Sequence, residues 1–181
     1  MIPKRIFFTK GKGLGKDYLS SFEAALRSAK VADFNLVQVS SILPPGCKRI
    51  SKEKGLKLLK PGEIVFCVLS KNSTNEPNRL ITASIGCAIP ADSSQYGYLS
   101  EYHSFGQTEK KAGEYAENLA ASMLAKTLGI KFSSQTTWKE RTQLYKMDRR
   151  IIKTINVTQS AIGNKDRLWT TIVALAVFIL K

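Results

Sequence analysis

Two adjacent serines, Ser40 and Ser41, stand just before Ile42-Leu43-Pro44-Pro45. A serine hydroxyl can attack the carbonyl of the residue before it when the backbone holds the two groups in a strained, reactive geometry. A strand running into paired prolines can impose that geometry, because each proline fixes its own φ and restricts the residue before it. Taken alone, the pair is a turn. Gly11, Gly13 and Gly15 alternate with Lys10, Lys12 and Lys16 in the manner of a phosphate cradle. No third glycine follows at dinucleotide spacing and no G-x-x-x-x-G-K-[ST] is present, so the run reads as a flexible surface turn. Cys47, Cys67 and Cys87 form no C-x-x-C pair and His103 is the only histidine, which points to neither a metal site nor a disulfide framework.

The elements around these residues follow from apolar spacing. After an Asp17 cap, Leu19, Phe22, Leu26 and Ala29 form one helical stripe reaching about Lys30. Phe34 to Val39 is extended, and Ser-Ser-Ile-Leu-Pro-Pro-Gly then excludes regular structure. Glu63–Ser70 and Leu80–Ile89 read as strands of a long hairpin around the polar stretch 72–78. In the strand Gly97–Ser104, alternation puts Leu99, Glu101 and His103 on one face. A second helix after Thr108 turns Ala112, Tyr115, Ala116, Leu119 and Met123 inward and ends near Gly129. Ile151–Val157 and Leu168–Leu180 supply two more strands. The expected fold class is α+β, with mixed or antiparallel sheets and helices packed outside, in a single domain spanning 1–181.

The chain has 181 residues, 43% of them hydrophobic, enough for one real core. Its formal net charge of +14 invites a nucleic-acid reading, best placed at 139–153 with Trp138 and Tyr145 interleaved. No nucleic-acid-binding signature supports it, so this stretch is read as a solvated face. The N-terminus lacks an apolar secretion segment, and the final apolar run of 168–180 is short of the ~20 residues of a membrane helix. A cytoplasmic protein without membrane attachment is expected.

The run Phe34-Asn35-Leu36-Val37-Gln38-Val39-Ser40-Ser41-Ile42-Leu43-Pro44-Pro45 closely resembles the self-cleavage segment of the pyruvoyl-dependent arginine decarboxylases. Further matches lie in Phe22-Glu23-Ala24-Ala25-Leu26, in Ile81 to Pro90 and in Tyr98-Leu99-Ser100-Glu101-Tyr102, together covering about residues 18 to 130. The resemblance implies a layered αββα sandwich, assembly as trimers or dimers of trimers, and conversion of arginine to agmatine and carbon dioxide. It implies that the chain cuts itself into 1–40 and 41–181, with Ser41 becoming a covalent pyruvoyl group that serves as an electron sink. Glu101 matches the family's general acid. Asn35 matches an asparagine whose amide could stabilise the oxyanion of the cut, or simply cap a strand entry. Glu23 stands at the family's substrate-binding aspartate, one methylene longer, where a carboxylate can grip a guanidinium. His103 stands where relatives carry an acid. The competing readings are a basic nucleic-acid-binding module on the same fold and a related decarboxylase of another amino acid.

Overall fold

The final apolar run lies at the centre of the protein. In the computed structural model, which describes residues 1–130 and 151–180, it is the strand β9 (Trp169–Ile179), with every residue from Thr170 to Ile179 buried. A strand covered on both faces needs no polar alternation. Its two edges are paired antiparallel, one with β1 (Arg5–Gly15) and the other with β5 (Ile64–Thr74). The short β4 (Lys48–Arg49) and β2 (Asn35–Gln38) complete a mixed five-stranded sheet in the order β2-β5-β9-β1-β4. A second, antiparallel sheet runs β3-β7-β6-β8, from β3 (Ile42–Leu43), β7 (Gly97–Phe105), β6 (Leu80–Pro90) and β8 (Ile151–Ile162).

Side-chain alternation divides the core into layers. Val173, Leu175, Val177 and Ile179 of β9 pack with Ala25 and Ala29 of the helix α1 (Tyr18–Ala29) on one face of the first sheet. Ala174, Ala176 and Phe178 point the other way, to Val68, Ile85, Cys87 and Leu99 between the two sheets. On the outer face of the second sheet, Ala120, Ala121, Leu124 and Ala125 of α3 (Glu109–Thr127) meet Ala88. The protein is therefore the α+β, αββα sandwich that the resemblance implies. A small helix, α2 (Lys52–Leu56), lies against the Phe7 ring through Gly55. No helix among the described residues is long and apolar enough to cross a membrane.

Both long helices start at the expected caps, with Asp17 accepting from the Ser20 amide and Thr108 from the Lys111 amide. Their buried faces differ from the expected stripes. In α1 the buried residues are Ser21, Ala25 and Ala29, whereas Leu19 is 71% exposed. In α3 they are Ala112, Gly113, Ala116, Ala120, Ala121, Leu124 and Ala125, whereas Tyr115 is 42% exposed and its ring lies tilted against that of Tyr102. The reason lies in the sheets. Gly11, Gly13 and Gly15, expected as a loose turn, are alternate residues of β1 facing α1, and a Cβ on Gly13 would collide with the Ser21 carbonyl and the Ala25 nitrogen. Gly86 of β6 meets Ala116 of α3 in the same way. Backbones this close admit only small side chains between them.

Replacing Gly13 with valine should consequently force α1 off the sheet. A loss of about 3 kcal/mol or more is expected, seen as a lower midpoint in urea or heat denaturation. Lys12→Val, at the exposed neighbour on the other face, should stay within about 0.5 kcal/mol of wild type. Equal losses in the two variants would show that close helix packing is not the cause.

The expected β5–β6 hairpin is not formed. The two strands belong to different sheets and meet face to face, because β5 takes β2 and β9 as partners and β6 takes β7 and β8. Ser70, at the expected strand end, and Asn72, in the expected hairpin loop, instead reach across the gap from β5 and donate to the Tyr102 and Ser104 carbonyls at 2.8 and 3.0 Å. Nor does the segment after Ser41 exclude regular structure, since Ile42 and Leu43 pair with Tyr98 and Gly97 before the Pro44–Cys47 turn.

Candidate active site

Ser40 and Ser41 lie where the chain leaves one sheet for the other. Upstream, β2 is paired in parallel with β5 up to Gln38 and Cys67, and the Val39 amide donates to the Cys67 carbonyl at 2.9 Å. Downstream, the Ser41 carbonyl accepts from the Leu99 amide at 2.7 Å, and β3 continues along β7. The Ser40–Ser41 bond is thus the span between two anchored strands, one in each layer. No residue from Val39 to Leu43 occupies the left-handed region, so the constraint on the bond is this tether at both ends and not a strained φ.

Glu101 sits two residues along β7 from Leu99, on the same strand face, as alternation predicts. Its carboxyl touches the serine-bearing strand through Gln38, whose Nε2 donates to Glu101 Oε2 at 3.1 Å and to the Leu69 carbonyl at 3.3 Å. The Glu101 carboxyl is held above the usual glutamate range. Loss of hydrating water to the surrounding protein raises it, while the Gln38 hydrogen bond and the nearby His103 charge oppose the shift. The side chain remains open to solvent on one side, so the shielding is partial. Cys67 lies close enough for the Glu101 charge to add to the burial that pushes its thiol up to about 12. Gln38 was not among the residues the sequence marked for chemistry. Only the two-sheet register brings it to a residue 63 positions away.

Asn35 and Glu23 are placed differently. Asn35 begins β2, with its side-chain amide donating to the Gly62 carbonyl at 2.8 Å and its main-chain amide to the Glu63 carbonyl at 2.9 Å. Ser40 follows five positions on, about 16 Å of extended chain at ~3.3 Å per residue. Glu23 is exposed on α1 and ion-paired with Arg27 one turn on. The helix packs mainly on β1 and β9, on the outer face of its sheet, and Leu36 of β2 borders the same apolar cluster as Phe22 and Leu26 of the helix. The basic stretch expected at 139–153 lies outside the described residues up to position 150.

An αββα sandwich with a serine pair bridging its sheets and a partly shielded carboxyl held by Gln38, just upstream of that pair, fits a group of enzymes that work through a pyruvoyl prosthetic group. The family described as pyruvoyl-dependent arginine decarboxylase matches residues 5–181. A probable pyruvoyl-dependent arginine decarboxylase of Chloroherpeton thalassium is 62% identical over 178 residues, 98% of each chain. Pyruvoyl-dependent arginine decarboxylase 2 of Methanosarcina acetivorans is 56% identical over 179 residues, 99% of this chain and 98% of its own. The chain belongs to the pyruvoyl-dependent arginine decarboxylase family. The residues present fit its covalent cofactor, since Ser41 is held by its own carbonyl on β7, the strand that carries Glu101.

Proposed function

We propose that the chain cuts its own backbone between Ser40 and Ser41 and then decarboxylates arginine to agmatine. The observation that carries this reading is the tethered Ser40–Ser41 span with Glu101 reached through Gln38, in a member of this family. In the cut, Ser41 Oγ adds to the Ser40 carbonyl carbon as the peptide C–N bond breaks, and the proton passes from oxygen to nitrogen, giving an ester. Elimination across the Cα–Cβ bond of residue 41 releases Ser40 as a carboxylate and leaves dehydroalanine. Water then replaces nitrogen, ammonia departs, and residues 41–181 begin with a pyruvoyl group. What that group supplies is an electron sink when carbon dioxide leaves the substrate. Glu101 delivers a proton to the α-carbon that has lost carbon dioxide, and Asn35 keeps β2 in register.

Denaturing mass spectrometry of the purified protein should show residues 1–40 and 41–181 as separate chains, the second blocked at its N-terminus. Agmatine and carbon dioxide should form from arginine in equal amounts. A wild-type chain still intact after long incubation at growth temperature would refute the reading.

The substrate's distal charge is read by Glu23 of α1, and the working enzyme is a homo-oligomer, as the family resemblance implies. Losing one partner of a buried charge pair costs on the order of 2–5 kcal/mol, or roughly thirtyfold or more in kcat/KM. Glu23→Gln should lose that much on arginine while still cutting itself, and citrulline, which lacks the charge, should be a poor substrate. Wild-type turnover of arginine by this variant would place the anchor elsewhere.

A further inference from the structure

We propose that Gln38 is a positioning residue that orients the Glu101 carboxyl for proton delivery, so that the N-terminal chain remains a working part of the site after the backbone is cut. This rests on the reading of Glu101 as the proton donor. β2 ends at Gln38, and the main chain makes its last bond to β5 when the Val39 amide meets the Cys67 carbonyl. The Leu69 carbonyl, two residues further along β5, is taken by the Gln38 side-chain amide at 3.3 Å. The same nitrogen donates to Glu101 Oε2 at 3.1 Å. Both hydrogens of one amide nitrogen are thus assigned, one to a core strand and one to the carboxyl, which fixes the plane of the amide and the oxygen it holds.

Few other groups compete for that oxygen. His103 follows two residues on along β7, and Cys67 lies across on β5 with a thiol that stays protonated at neutral pH. Ile85, the register partner of Glu101 on β6, has nothing to titrate. Gln38 is the hydrogen-bond donor to the Glu101 carboxyl among the described residues. It also stands two positions before the bond that is cut, so after scission it belongs to the 1–40 chain while Glu101 belongs to 41–181.

Two measurements test this. In uncut Ser41→Ala protein, the Glu101 side-chain carboxyl carbon is titrated by NMR, with its signal assigned by loss in Glu101→Gln. Gln38→Met removes a donor that favours the ionised carboxylate, so the midpoint should rise, whereas Gln38→Lys adds a cation and the midpoint should fall. In self-cleaved enzyme, the alkaline limb of kcat should move in the same two directions. For Gln38→Met, kcat should also drop roughly tenfold or more, the scale of a hydrogen bond to a charged group, with KM changed less than about twofold. Should Gln38→Met fail to fold, Gln38→Glu keeps the size and puts a second carboxylate beside Glu101, raising the midpoint. Midpoints that stay put, or that move the same way in the methionine and lysine variants, overturn the proposal while an inert Glu101→Gln leaves the proton-donor reading standing. Wild-type turnover by Glu101→Gln overturns that reading and this one with it.

Discussion

Ser41→Ala should remain a single chain of 181 residues with no decarboxylase activity, under conditions in which the wild type separates completely into two chains. The variant keeps the peptide bond and both of its anchors, since the Val39–Cys67 and Leu99–Ser41 bonds are made by main-chain atoms. It lacks only the oxygen that adds to the Ser40 carbonyl, so the cut and the cofactor are lost together. Ser40→Ala is the informative companion. Ser40 contributes a carbonyl and no nucleophile, so that variant should still be cut. Denaturing mass spectrometry reads both results, and thermal denaturation of Ser41→Ala should show a folded protein. Cutting in Ser41→Ala, or an intact chain in Ser40→Ala, would mean that the two serines do not divide the work in this way.

Glu101→Gln should cut itself normally and then fail in turnover. Positioned general acids contribute roughly 10²–10⁴-fold to rate, and an amide cannot supply the proton, so kcat should fall at least about a hundredfold. The same residue sets an expected pH dependence. Shielding holds the Glu101 carboxyl above the ordinary glutamate range, and the acid form is the one that donates. Turnover should accordingly be full below that raised value and be lost as pH rises through it. The raised value keeps the donor protonated at pH values where an ordinary glutamate is ionised, and Glu101→Gln should show no such limb in its residual rate. Equal turnover of the variant and the wild type would remove Glu101 from the chemistry.

Helix ends were legible in the sequence because capping is local. Asp17 and Thr108 each bond an amide three residues on, and no distant contact is needed to recognise them. The buried faces of the same helices were not legible from apolar spacing. Leu19 lies in solvent and Ala25 in the core because Gly11 and Gly13, on the strand before the helix, bring the sheet too close for a larger side chain. The β5–β6 connection misled for a related reason. A short polar link fits either a hairpin or a crossing between layers, and the choice fell to β2 and β9, which occupy both edges of β5.

The site divides along the same line. Sequence by itself determined the family, the serine pair with its following prolines, and the strand face of Glu101, since each depends on neighbouring residues or a period of two. It carried no sign that the serine pair bridges two sheets, that Gln38 holds the Glu101 carboxyl, or that Glu23 pairs with Arg27 on the exposed side of α1. Those facts arise from the pairing of strands far apart in the chain and from which face of a sheet a helix covers. Only the tertiary structure decided them, because packing and backbone hydrogen bonding select one arrangement among several that the local pattern permits equally.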